Sequence, residues 1–237
     1  MASQAIESPH HDHAAVPRPP TAGTHPREKP TFRGVLHQWA AVAMAGAGSV
    51  LVAMAPSPRA RWAALAYTAS VVTLFSVSAL YHRPTWKPAQ RAVMKRLDHA
   101  SVFILISGTY TPICLLGLVP GPGMKLLALT WATTLLGLVR AVFWPDAPRL
   151  VTAGLYLFAG WLVVPYSSQV RAALSVPALS LLYAGGIVYT LGAVMYAMRR
   201  PNPFPGVFAH HEVFHALTLL ASGLHFALVL GLVRAAV

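Results

Sequence analysis

The chain has 237 residues, 56% hydrophobic and 10% charged, with a mean hydropathy of +0.56. A soluble domain carries about 25% charged residues, so the composition excludes an ordinary soluble fold. A formal charge of +12 would suit a nucleic-acid binder, but the basic residues stand singly or in small groups at the ends of apolar runs. There they anchor helices and meet anionic headgroups, and nucleic acid is rejected as a partner.

The first thirty residues, "MASQAIESPHHDHAAVPRPPTAGTHPREKP", hold no apolar core and read as neither a cleavable signal nor a span. Residues 1–32 are expected to form a disordered Pro/His-rich tail. Its His10–His13 run, "HHDH", reads as a solvated stretch or an adventitious metal binder.

From residue 35 onward, apolar runs of about 20 residues recur, the length that a bilayer core demands of a helix. Spans are expected near 35–55, 62–82, 98–119, 124–144, 149–168, 175–198 and 207–233. They are separated by "PSPRAR", "RPTWKPAQRAVMKR", "PGPG", "WPDAPR", "SSQVRAALSVP" and "RRPNPFPG". Period-2 segments of a β-barrel are not evident. The fold class is all-α: one seven-transmembrane helix bundle, residues 33–237, behind the tail. "PAQRAVMKRL" between spans two and three suits either a short helix on the headgroups or a solvated basic loop. Cys114, the lone cysteine, lies in an apolar run and reads as a small buried hydrophobe.

Charge fixes an orientation. With the N-terminus inside, the cytoplasmic segments hold 13 of the 18 basic residues and the outer segments 5. The positive-inside rule then puts the N-terminus in the cytoplasm and the C-terminus outside. A cell inner (plasma) membrane location is expected.

Ionisable groups at membrane depth are costly and usually functional. Only Asp98 and Glu212, of six acidic residues, lie at span ends. Span two ends with Ser78 and His82 in "SALYH"; span three opens with Asp98 and His99 in "RLDHASVF"; span seven opens with "HHEVFH", His210–His215. Alternation brings all three ends to one face. Ser78 and His82, and likewise His211 and His215, stand four apart and share a helix face. Imidazoles from two helices beside a carboxylate describe a zinc site of three His ligands with a position left for water; the alternative is that these histidines cap helices or sit at a helix interface.

His211–His215 also fits H-E-x-x-H, but a zinc protease needs a further ligand and a soluble cleft, and this helix continues into lipid. Glu212, about 100° around the helix from His211, has either a catalytic or an interfacial role. His37 and His99 read as polar helix-end residues. His225, about 15 Å deeper than His215, is expected to hydrogen-bond between helices. Thr109, Tyr110 and Pro112 of "GTYTP" are expected to shape and kink span three.

"SALYH", "LDHASVFILISGTYTPICL" and "HHEVFHALTLLASGLHF" resemble the hemolysin III branch of the progestin and adipoQ receptor (PAQR) family. The resemblance runs from "RGVLHQWA" to the C-terminus. It implies seven helices, an inward N-terminus and a zinc ion on His82, His211 and His215, with Ser78 and Asp98 at the matching motif positions. The family is similar to alkaline ceramidases, which implies a membrane lipid as substrate. Many bacterial members carry an acidic stretch before the span-one histidine; this chain reads "KPTFRGVLHQ" there.

The expected function is zinc-dependent hydrolysis of a lipid amide or ester, with Asp98 handling the water's proton and Ser78 steadying the water or oxyanion. Two alternatives stand beside it. One is a receptor or membrane-state sensor in which zinc only pins helices; the other is a pore-forming hemolysin, for which the apolar spans offer no charged lumen. The sequence leaves the oligomeric state open.

Overall fold

A computed structural model describes residues 29–236. The expected disordered tail falls largely on residues 1–28, outside that range. Where the chain enters the described region, the backbone N–H groups of Thr31 and Phe32 donate to the carbonyls of Gly206 and Val207.

Eight α-helices follow: α1 (Val35–Ala53), α2 (Pro58–His82), α3 (Pro88–Pro112), α4 (Pro120–Phe143), α5 (Arg149–Gly160), α6 (Ser167–Ala173), α7 (Val176–Met198) and α8 (His210–Ala235). α5 and α6 together make one crossing, Arg149–Ala173, so the described residues form seven spans long and apolar enough to cross a bilayer. Helix starts are written locally. Pro58, Pro88 and Pro120 occupy the first helical position, where a missing N–H costs nothing and the fixed φ suits the helix. Ser57 and Ser175 cap α2 and α7 by accepting from Ala60 N and Ala178 N.

α2 and α3 form the spine. α2 buries Tyr67, Ser70, Val71, Leu74, Phe75, Ser78 and His82, a stripe at helical period. It packs on α1 and α3, while α7 pairs with α8 and α1 closes toward α8. Small residues let backbones approach. A Cβ on Gly108 of α3 would meet Ser70 Oγ at 2.0 Å, and one on Gly185 of α7 would meet His225 Nε2 at 2.3 Å.

The crossings fall where the apolar runs put them, and three local features differ from expectation. "PAQRAVMKRL" is neither a separate surface helix nor a loop: it is the first turns of α3, which starts at Pro88 and runs unbroken to Pro112. Second, "SSQVRAA" is helix α6, continuing the fifth span after an interruption at 161–166. Third, Tyr110 does more than shape its own helix. Its hydroxyl donates to Gly160 O (2.7 Å) and accepts from Val163 N (3.0 Å), pairing backbone groups that the interruption frees. Pro112 does end the regular part of α3, and a π-helical turn, Ile113–Gly117, follows.

Candidate metal centre

α2 ends on His82, and α8 begins with His210 and His211. The end of one helix and the start of the other therefore lie side by side, and one ligand atom from each of His82, His211 and His215 falls within 4.8 Å of the other two. Nε2 of His82 is 3.0 Å from Nε2 of His211. Two imidazole nitrogens on one tetrahedral ion, each about 2.0–2.1 Å from it, stand about 3.3 Å apart. The pair needs only a few tenths of an ångström to meet that spacing. His215 is 2% exposed, and its Nδ1 has no hydrogen-bond partner among the described residues. Three imidazole nitrogens brought this close from two helices form a donor set that fits zinc.

Asp98 follows directly on the basic extension, about three turns into α3. Its Oδ2 lies 4.0 Å from His82 Nε2, beyond hydrogen-bond range but close enough to act on whatever the histidines hold. Ser78, one turn before His82 and 3% exposed, faces the Asp98 carboxylate. The five expected residues therefore meet at one place.

Two neighbours were not legible as part of it. His37 of α1 is buried, with both ring nitrogens unpartnered among the described residues, and stacks on His215 with centroids 3.7 Å apart and planes 11° from parallel. Its mark in the sequence is a lone histidine in the first turn of an apolar span. Gly34, at φ +77°, sits so close that a Cβ there would lie 2.9 Å from His82 Cβ, which brings the start of α1 against the end of α2.

Glu212 is resolved as an interfacial residue. It is fully buried, its Oε2 accepts from Ala209 N at 2.9 Å to cap α8, and its Oε1 lies 2.6 Å from Arg33 Nε. The alignment is poor for an N–H···O bond, so this is a charge contact. Arg33 belongs to "KPTFRGVLHQ", the stretch where an acidic group is missing; here a base from the turn before α1 meets an acid from α8. His225 Nε2 bonds Leu182 O at 3.2 Å, linking α8 to α7 as expected. His99 lines the same cavity as the cluster without joining it.

That cavity holds ≈ 720 Å³. The exposed residues Asp146, Pro148, Arg149 and Arg199 line it and mark its mouth, and the histidines, Tyr110, Trp161 and His225 line it as well. Apolar side chains, Leu74, Leu105 and Ile106 among them, form part of its wall.

Fold and site define a polytopic α-helical membrane protein with a buried three-histidine cluster at the mouth of an intramembrane cavity. Comparison with known proteins makes this specific. The family model described as "Haemolysin-III related" matches residues 26–226. The chain is 33% identical over 184 residues to the "Hemolysin-3 homolog" of Bacillus subtilis (strain 168), covering 76% of this chain and 83% of that protein. It is 30% identical over 164 residues to "Hemolysin-3" of Bacillus cereus, covering 69% and 72%. To the "Adiponectin receptor protein" of Drosophila melanogaster it is 29% identical over 156 residues, covering 56% and 34%. The chain belongs to the haemolysin-III-related family, the hemolysin III branch of the PAQR proteins.

Proposed function

We propose that this protein is a zinc-dependent hydrolase of membrane lipids, cutting an amide or ester bond near the headgroup level of the cytoplasmic leaflet. The observation that carries the reading is the meeting of His82, His211 and His215 beside Asp98 at the mouth of an apolar cavity. The 13:5 division of basic residues supports an N-terminus in the cytoplasm, which puts the cluster at that leaflet.

His82, His211 and His215 would hold the ion. Zinc, when bound, supplies Lewis acidity and a water that ionises near neutral pH. Asp98 accepts a proton from the attacking water and returns it to the leaving amine or alcohol as the acyl carbon–nitrogen or carbon–oxygen bond breaks. Ser78 orients the Asp98 carboxylate or donates to the developing oxyanion. The apolar walls hold the acyl chain, so the scissile group stays at the mouth.

Metal content and turnover test this together. Purified protein should carry one zinc per chain by mass spectrometry of the metal, lost in His211→Ala. Incubation with ceramides and phospholipids should release fatty acid, and Asp98→Ala should lower the rate by about 10²–10⁴-fold while zinc stays bound. Zinc-loaded protein that releases nothing from either lipid class would end the hydrolase reading.

A second reading is a receptor or sensor in which the ion only clamps helices. It is favoured by the position of the cluster: α2 packs chiefly on α1 and α3, and the His82–His211 contact is one that joins it to α8. The name of the insect relative points the same way, as the names of the two Bacillus relatives point to haemolysis. A clamp requires zinc for stability and produces no hydrolysis; a pore requires dye release from liposomes holding pure protein.

A further inference from the structure

The mouth of the cavity carries more positive charge than the zinc reading uses. Arg91 and Lys95 of α3, Arg149 at the start of α5 and Arg199 just after α7 all line it. The carboxylates that line it are Asp98, beside the histidines, and Asp146, which is 2.6 Å from Lys95 Nζ. Among the described residues, Arg91, Arg149 and Arg199 have no acidic partner.

Two of these guanidiniums are held in place. Arg91 lies over the ring of Tyr81, 5.3 Å from its centroid, and Tyr81 packs against His82 with centroids 4.6 Å apart. Arg149 lies over Tyr196 at 5.5 Å, and Tyr196 packs against His211 at 6.1 Å. The histidine cluster is thus bracketed by two arginine-on-tyrosine pairs reaching it from different helices. Such stacking fixes the guanidinium plane and leaves its N–H edge free to donate. Arg199 adds a third cation from an unusual backbone: its φ of 56° is one that glycine takes without strain, and it is the sole non-glycine residue with positive φ among those described.

A positive-inside bias puts basic residues at helix ends, but it does not require them to converge on one cavity or to be braced there. We propose that the mouth is a binding site for the phosphate of a lipid headgroup, so that the substrates or ligands of the cavity are phosphate-bearing lipids rather than neutral ones. Guanidiniums match phosphate oxygens edge to edge, and three unpaired cations match a group with more than one ionisable oxygen better than a lone carboxylate. The apolar interior then takes the acyl chain. This inference rests on reading the cavity as a lipid site.

Lipids that differ in one group test it. The full chain, zinc-loaded in maltoside micelles, is titrated with 1-oleoyl lysophosphatidate, with 1-oleoylglycerol, which lacks only the phosphate, with oleate and with inorganic phosphate. The lysophosphatidate should bind at least about tenfold tighter than the other three. Arg91→Gln with Arg149→Gln should abolish that preference, and each single change should remove part of it, so the result does not hang on the double variant folding. Arg59→Gln with Arg61→Gln, at the far end of α2, should leave it intact. Equal binding of lysophosphatidate and oleoylglycerol, equal loss in the two double variants, displacement by inorganic phosphate at matched concentration, or oleate binding as tightly would each overturn the proposal. No turnover is needed for this readout. A chain that prefers the phospholipid but hydrolyses nothing sinks only the hydrolase reading, and one that cleaves neutral lipid and ignores phosphate sinks only this inference.

Discussion

His37 and His215 stack face to face, centroids 3.7 Å apart, with one ring from α1 and the other from α8. The stack gives His215 a wall, and Phe75 lies against His37, centroids 4.9 Å apart and planes tilted at 58°. A ring held this way keeps its orientation when a metal is bound or lost. Groups that orient a ligand are worth about 10–100-fold in metal affinity. His37→Ala should therefore weaken zinc binding about tenfold in a chelator competition. His37→Phe keeps a flat ring and should retain most of the affinity; an equal loss in both variants would mean that the His37 nitrogens, not its face, matter.

The Arg33–Glu212 contact closes the same corner by charge. Glu212 is fully buried and Arg33 is 22% exposed. Removing one partner of a buried pair strands the other and costs about 3–5 kcal/mol, whereas removing both costs less. Arg33→Gln should sharply lower the unfolding temperature in detergent. Glu212→Gln should cost less, because the amide oxygen can still accept from Ala209 N. The double variant should recover part of the Arg33→Gln loss; simple additivity would show that the two charges do not interact.

How much of this was legible in the sequence varied with the range of the interaction. The crossings were readable because each depends on its own run of apolar residues. The positions of His82, His211 and His215 followed from helix ends alternating between two faces, with no tertiary detail needed. The early start of α3 was obscured because Arg91, Lys95 and Arg96 make residues 88–97 look like a basic link; Pro88 at the first helical position was the overlooked signal. The role of Glu212 stayed open because its partner, Arg33, lies at the other end of the chain. His37 read as an ordinary helix-end residue for the same reason: nothing local to α1 says that α8 will pack beside it. The tyrosine brackets join residues of different helices and leave no periodic mark.

Gly34 and Gly206 separate backbone strain from a local clash. Both have positive φ, +77° and +84°. A Cβ on Gly34 would lie 2.9 Å from His82 Cβ, while one on Gly206 would meet nothing within 4 Å. Gly206→Ala should cost only the left-handed penalty, about 1–2 kcal/mol, and leave zinc content unchanged. Gly34→Ala adds a collision with the end of α2 that carries His82, so it should lower both stability and zinc affinity. Unchanged zinc affinity in Gly34→Ala would show that the end of α2 yields without moving the His82 ring.

Among the described residues, Asp98 and Asp146 are the carboxylates that line the cavity, and Asp146 occupies Lys95. Its hydrogen bond from Lys95, with the lysine's charge, holds its carboxyl below the usual value of 3.8. A group depressed in this way is ionised in the folded protein above that value, and its contribution disappears only as pH falls through the lower, folded one. Between about pH 5 and 8 the pair is therefore fully charged and should give neither stability nor ligand binding any slope with pH. Asp146 is 85% exposed, and exposed pairs add little to stability, so Asp146→Asn should leave the unfolding temperature unchanged. It should nonetheless free Lys95 for an anionic headgroup and raise lysophosphatidate affinity about two- to threefold, most clearly at low salt. Isothermal titration at two ionic strengths would read both effects. A fall in affinity would mean that Asp146 holds Lys95 in the orientation the headgroup requires, rather than competing with the ligand for it.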